Sequence, residues 1–392
     1  MKLNVLLSTG LIIVSGFLFS CTSGTEGEYS YDKPEYTDDG ISTGTLENTK
    51  IDKNLISEAV VKMRDGKFGQ IHSFLLYKDN MLVAEEYFGG YKYKWDGPGY
   101  RGLYVIWNKD KTHQVMSCTK SVTSACISIA IRQGYIRDVH DSIFDYLPDH
   151  QQFKSQGKEK ITIEHLLTMT SGLEWNEWNA PHGTSANDID RLYFECADDP
   201  VACVLNRRLV AEPGSTFTYN GGGFIILGEI IRNAAGTDLL SFAQKHLFSP
   251  LQTEVTRWDA YPNGELEAAG GLHLTPRDML KFGVLYLQDG KWGDARVLSD
   301  GWPLKSATPY GNNRGIKIPI EDSGNNGYGY SWWTSTFKKN GKDIDVYRAN
   351  GWGGQVIMVI PSENAVVVFT SGNYTSKSKL FKLLRKYIVP AI

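Results

Sequence analysis

Ser117 and Lys120 stand three residues apart in Val115-Met116-Ser117-Cys118-Thr119-Lys120-Ser121. A serine hydroxyl is a poor nucleophile until a base within hydrogen-bond reach takes its proton. A lysine one helical turn further on can be that base, provided burial keeps its amine neutral. The stretch predicts a helix that Ser117 opens and that runs to about Gln133, with Gly134 as its stop. Ser117, Lys120, Ser121 and Ser124 then share one face, and Val122, Ala125 and Ile129 supply the apolar one. The helix N-terminus adds positive partial charge for a developing oxyanion. Taken alone the pattern is common, and a capping serine followed by a surface lysine is its ordinary meaning.

Four further segments change that weight. They are Glu164-His165-Leu166-Leu167-Thr168-Met169-Thr170-Ser171-Gly172-Leu173, Glu212-Pro213-Gly214-Ser215-Thr216-Phe217-Thr218-Tyr219-Asn220-Gly221, Gly270-Gly271-Leu272-His273-Leu274-Thr275-Pro276-Arg277-Asp278-Met279, and Asn350-Gly351-Trp352-Gly353-Gly354-Gln355. In this order they resemble the motifs of the β-lactamase-related serine hydrolases. That group includes class C β-lactamases, D-alanyl-D-alanine carboxypeptidases, esterases and 6-aminohexanoate-dimer hydrolases. The resemblance covers roughly residues 55–390. The Gly327-Tyr328-Gly329-Tyr330-Ser331-Trp332-Trp333 and Gly-Trp-Gly-Gly-Gln stretches look most like the 6-aminohexanoate-dimer hydrolase and esterase branch.

The resemblance implies Ser117 as nucleophile, Lys120 as its base and Tyr219 as the group that passes the proton to the leaving group. It implies an oxyanion hole from the backbone amides of Ser117 and Trp352. Asn220, Asn350, Gly351 and Trp175 become candidate substrate-binding residues. Two departures stand out. The family's Tyr-x-Asn motif ends here in Gly221. Its Lys/His-Thr/Ser-Gly motif, aligned on Gly351, places Ala349 at the basic position and Asn350 at the hydroxyl position. Relatives use that cation to hold a substrate carboxylate. Arg348 is adjacent, but strand alternation points it to the other face. His273 and His165 read as structural, and Trp178 as a further pocket candidate.

The elements that must position these residues follow from local pattern. Residues 71–77 and 81–88 read as a hairpin about Lys78-Asp79-Asn80. Residues 328–336, 343–349, 355–360 and 365–371 read as strands, and 376–389 as a closing helix. Strands at both ends with helices between predict an α/β (α+β) fold. An antiparallel sheet is built from both chain ends, flanked by helices, with an inserted mainly helical lobe at about 140–310. This is the β-lactamase/transpeptidase-like arrangement that the motifs imply.

The chain starts Met1-Lys2 and runs apolar from Val5 to Phe19, ending Leu18-Phe19-Ser20-Cys21. That is shorter than the roughly 20 residues of a membrane span. It resembles a lipoprotein signal peptide over 1–20, with Cys21 as the lipidated residue. The expected address is therefore the cell envelope, lipid-anchored in the periplasm or outer membrane. Residues 21–50, poor in aliphatics, read as a flexible tether, with a structured arm anchored through Tyr29, Tyr31 and Tyr36 as the alternative, and 51–392 as the hydrolase domain.

The formal net charge is −3, without a basic stripe, which argues against nucleic acid. No Cys/His spacing suggests a metal, and the chemistry needs no cofactor. Cys196 and Cys203 flank a turn-like stretch and are either bridged or free. The best reading is hydrolysis of a small amide or ester through an acyl-serine. A β-lactamase or carboxypeptidase is the rival enzyme, and an acylated but non-turning-over penicillin sensor is the rival outside enzymes.

Overall fold

The structure is a computed structural model and describes residues 29–392. The stretch read as a signal peptide and Cys21 lie outside the described residues. Asp52 starts the first helix, α1 (Lys53–Arg64), by accepting from the amides of Asn54 and Leu55. Strands β1 (Ile71–Lys78) and β2 (Met81–Tyr87) form the expected hairpin. Its turn residues Asp79 and Asn80 have φ of 50° and 65°, the left-handed pair a tight hairpin requires. A second hairpin of β3 (Gly89–Tyr93) and β4 (Arg101–Ile106) stands apart from the main sheet.

Helices α2 (Cys118–Arg132), α3 (Gly222–Ala235) and α4 (Pro276–Leu287) are the longest of the middle region. The chain then returns to the sheet through β5 (Gly327–Tyr328), β6 (Trp333–Lys339), β7 (Lys342–Gly351), β8 (Gln355–Ile360) and β9 (Ala365–Ser371). The result is a seven-stranded antiparallel sheet of order β2-β1-β9-β8-β7-β6-β5, built from both chain ends.

Helices cover both faces of this sheet, so β1, β8 and β9 are buried throughout and show no polar alternation. On one face Leu75, Tyr77, Ile357 and Val368 pack with Val122, Ala125 and Ile129 of α2. On the other, Phe74, Leu76, Met358 and Phe369 pack with α1 and the closing helix. That helix starts at Leu380, later than residue 376, and contains one π turn over Leu384–Ile388. The remote Asp322 carboxylate sets its start by accepting from the amides of Phe381 and Lys382. Helix α4 lies within the stretch read as the lobe, yet packs on β8 and β9. A Cβ on its Gly283 would come within 2.6 Å of Val366 and 2.8 Å of Ile357, so glycine permits this close approach.

The tether reading is corrected from Tyr29 onward. Ile41, Leu46 and Thr49 are buried, and Gly44 N and Ser42 O bond to Leu82 along the outer edge of β2. Arg277 on α4 clamps the arm by donating to the Glu35 carbonyl and pairing with Asp39. A few well-placed apolar side chains and an open strand edge outweigh the polar composition, and the arm covers that edge. Cys196 and Cys203 are bridged, while Cys118 and Cys126 are free and buried.

Candidate active site

The turn that carries Ser117 is set by backbone geometry. Met116 holds a φ of 49°, which turns the chain sharply from the two-residue strand His113–Gln114 into α2. Ser117 is left as the residue before the helix. The strand pairs with His273–Leu274, and the Val115 amide donates to Leu272 O at 2.9 Å. The polar face of α2 explains its unusual serine and threonine content. Thr123 Oγ1 donates to Ala268 O at 2.8 Å and Ser121 Oγ to Ser331 O at 2.7 Å. The helix is thereby tied to two loops.

Lys120 Nζ lies 3.0 Å from Ser117 Oγ and 3.0 Å from Ala269 O. Its side chain is 3% exposed. Burial pushes its proton affinity below that of a free lysine, while the carboxylates of Glu177 and Glu267 push back. Tyr219 lines the same cavity, its phenol turned toward Ser117 and its ring 5.1 Å from Lys120 Nζ. Burial, then Glu177, holds that phenol protonated well above the ordinary tyrosine range. Trp178 stacks on the Tyr219 ring at 4.8 Å and Trp333 at 6.0 Å, fixing its plane.

Strand β7 ends at Gly351 and sets it and the following Trp352 opposite the turn that carries Ser117. A Cβ at Gly351 would collide with the Val115 carbonyl, so glycine lets the strand end abut that turn. Among the described residues, the backbone N–H groups of Ser117 and Trp352 have no acceptor within the chain. Trp352 is held by His182 stacked at 4.4 Å and Tyr100 at 4.8 Å.

The whole constellation opens into a cavity of about 1220 Å³. It is walled by Tyr93, Trp95, Tyr100 and Tyr374 on one side and by Trp178 and Trp333 elsewhere. Asn350 lines it with Nδ2 donating to Glu321, and Gly351 lines it too.

Two expected contacts are corrected. Asn220 is 3% exposed and does not line the cavity; its Oδ1 caps α3 by accepting from Gly223 N at 3.1 Å. Trp175 packs in the core behind the cavity wall, and its Nε1 donates to Glu177 at 2.9 Å. Of these two tryptophans it is Trp178, three residues on, that lines the cavity.

The cations fall as strand alternation requires. Ala349 packs in the core on the α2 side, 1% exposed. Arg348 points to the opposite face, over the Phe381 ring and hydrogen-bonded to Ser335 and Asn326. Arg207 and Arg208 are engaged by Asp188 and Glu174. Among the described residues, three lysine or arginine side chains line the cavity. Lys120 is held by Ser117 and Ala269 O, Arg257 pairs with Asp259 at 3.0 Å, and Lys92 is exposed on β3.

Sequence reasoning missed Glu177, Glu267 and Glu321, all on the cavity wall. Glu177 stands three residues beyond Glu174 in Glu-Trp-Asn-Glu and Glu267 three before Gly270. Proximity to a recognised motif was the only signal available. Burial raises the Glu267 carboxyl to about 7. His273 lies on the cavity wall with Nε2 2.9 Å from Asp259, and His165 completes a capping box with Thr162.

Comparison with known proteins accords with this fold. The chain is 19% identical, with a TM-score of 0.63, to the Bacillus anthracis protein assigned as a 6-aminohexanoate-dimer hydrolase, covering 91% of this chain and 89% of that one. It superposes on EstCE1, a hydrolase with promiscuous acyltransferase activity, with a TM-score of 0.64 at 15% identity, covering 86% and 99%. These likenesses concern the fold. In sequence, the D-alanyl-D-alanine-carboxypeptidase/endopeptidase AmpH of Escherichia coli K12 is 24% identical over 196 residues, 45% of this chain and 49% of that protein. Protein flp of Staphylococcus aureus MW2 is 26% identical over 144 residues, 37% of this chain and 27% of that protein. The matches thus span between about a quarter and a half of these relatives' lengths. The model of the Beta-lactamase family matches residues 72–386, from β1 through the helical middle to the closing helix, and the chain therefore belongs to the β-lactamase family.

Proposed function

We propose that the chain hydrolyses a small amide or ester through an acyl-Ser117 intermediate. The observation that carries this reading is the buried Lys120 amine 3.0 Å from the Ser117 hydroxyl, beside Tyr219. The neutral amine takes the hydroxyl proton as Ser117 Oγ attacks the carbonyl carbon. The amides of Ser117 and Trp352 receive the oxyanion, a contribution of about 3–4 kcal/mol per donor in well-studied cases. Collapse breaks the bond to the leaving amine or alcohol, which takes its proton through Tyr219 from Lys120. Water then attacks the acyl-serine by the same route in reverse.

The names of two fold neighbours, the 6-aminohexanoate-dimer hydrolase and EstCE1, support an amide- or ester-hydrolase reading, while two others, named as a penicillin-binding protein and a penicillin-binding protein homologue, keep the sensor as the rival. Absence of a cation at position 349 supports neutral substrates over D-alanyl peptides and β-lactams. The test is a fluorophosphonate probe combined with a panel of p-nitrophenyl esters, short amides and β-lactams. Ser117 is expected to be labelled, and Ser117→Ala to abolish turnover. Undiminished activity of Ser117→Ala refutes the reading, and acylation by penicillin without turnover favours the sensor.

We further propose export and lipid attachment at Cys21, carried by the Leu18-Phe19-Ser20-Cys21 sequence. Alkyne-palmitate should tag the wild type in cells and leave Cys21→Ser untagged.

A further inference from the structure

The family's Tyr-x-Asn motif places an amide side chain where this chain has Gly221. The space that side chain would enter is already filled. A Cβ built on Gly221 would lie 2.9 Å from Glu177 Oε2 and 2.8 Å from Ile189 Cδ1. Glu177 reaches the spot from a different segment, the loop after Leu173, and is locked there. Its Oε2 accepts from the Gly221 amide at 2.7 Å and from Trp175 Nε1 at 2.9 Å. Its Oε1 lies 4.0 Å from Lys120 Nζ, with the two side chains 7% and 3% exposed. Trp175, misread from sequence as a pocket residue, is thus part of the bracket that aims this carboxylate.

We propose that Glu177 is a positioning residue of the site, replacing in space the third residue of the Tyr-x-Asn motif and stabilising the ammonium that Lys120 becomes when it takes the Ser117 proton. The inference deepens the proposed Ser117–Lys120 chemistry and rests on it. An asparagine amide can donate to a substrate carbonyl; a carboxylate can only accept. The exchange therefore trades a substrate contact for a charge beside the base. In the step concerned, the Ser117 O–H bond breaks and an N–H bond forms on Lys120, and Glu177 exchanges no proton.

The groups facing Lys120 from each packed element are few. They are Ser117 and Cys118 on its own turn, Glu177, the Tyr219 ring, the Phe224 ring at 5.9 Å, and Glu267 with the Ala269 carbonyl. Among the charges, Glu177 opposes the effect of burial most strongly, ahead of Glu267.

Glu177→Gln tests this directly, because Gln Oε1 can still accept from Gly221 and Trp175 while the charge is gone. Lys120 works as a base only when neutral, so the acid limb of kcat/KM reports its protonation. With p-nitrophenyl acetate, that limb should move to lower pH in Glu177→Gln. The same comparison in a Glu267→Gln background removes the titration of the second carboxylate. Activity lowered equally at every pH, with the limb unmoved, overturns the inference.

A second arm tests the exchange in space. Gly221→Asn alone should lose about a hundredfold in kcat/KM, the scale of a 1 Å misplacement. Glu177→Gly combined with Gly221→Asn should recover most of it, and a double variant no better than the single also overturns the inference. If Gly221→Asn fails to fold, the Glu177→Gln profile still decides. Fluorophosphonate labelling separates the layers. An unlabelled Ser117 in the wild type sinks the underlying hydrolase reading, whereas a labelled Ser117 with an unmoved limb sinks only the role of Glu177.

Discussion

At the scale of single residues, the site is a half-buried Ser117 against a buried Lys120, in a cavity with little positive charge to spare. A substrate carboxylate drawn into such a site needs an Arg, Lys or His, because an unpaired buried charge is costly. Ala349 supplies none, Arg348 is spent on the far face of the sheet, and Arg257 is paired with Asp259. Loss of one charge-assisted hydrogen bond is worth roughly 1.5–3 kcal/mol, or about one to two decades in kcat/KM. Short-chain esters should therefore be hydrolysed better than benzylpenicillin or nitrocefin by at least that margin. Steady-state kinetics on one enzyme preparation checks it, and comparable rates would show that Lys92 or another cation anchors the carboxylate.

At the scale of elements, the proposed chemistry requires β7 to approach the turn before α2 closely. Gly351 is the contact point, since any side chain there meets the Val115 carbonyl and the Met116 side chain. Gly351→Ala should push the Trp352 amide away from Ser117 while most of the sheet stays paired. Misplacement on that scale costs about a hundredfold in rate. The expected outcome is a fall in kcat of that order with a thermal midpoint within a few degrees of wild type. A variant with full activity would remove Trp352 from the oxyanion site. The polar contacts from Thr123 and Ser121 to the loops at Ala268 and Ser331 brace the other side of this gap.

At the scale of the whole molecule, the sheet with helices on both faces buries titratable groups that a smaller domain would leave wet. Glu267 is the clearest case: burial raises its carboxyl from the ordinary value to about 7. Between about 4.5 and 7 the folded chain therefore binds more protons at this site than the unfolded chain. Stability from this group is greatest below that window, falls as pH rises through it, and is lowest above 7. The cost of ionising it in place is on the order of a few kcal/mol. Glu267→Gln removes that cost. The thermal midpoint of Glu267→Gln relative to wild type should increase between pH 5 and pH 8, and a difference independent of pH would refute the assignment.

Much of this was legible in the chain itself, because it follows from neighbours within about ten residues. The spacing of Ser117 and Lys120 on a helix, the β1–β2 hairpin at Asp79-Asn80, the strands from β7 to β9 and the outward turn of Arg348 all follow from local periodicity. Elements that depend on distant partners were not legible. The arm from Tyr29 reads as solvated by composition, yet the open edge of β2 and Arg277 capture it. Asn220 and Trp175 sit beside Tyr219 and Leu173 in sequence, yet side-chain direction turns one into a helix cap and the other into a bracket for Glu177. Glu177, Glu267 and Lys120 come from three segments between 57 and 147 residues apart in sequence, and only the folded chain brings their charges together in a shared low-dielectric pocket. The helix alone determined that a serine and a lysine would meet. Which carboxylates set the charge around that lysine was decided by packing, because burial and electrostatic coupling act through space and leave no local periodicity to read.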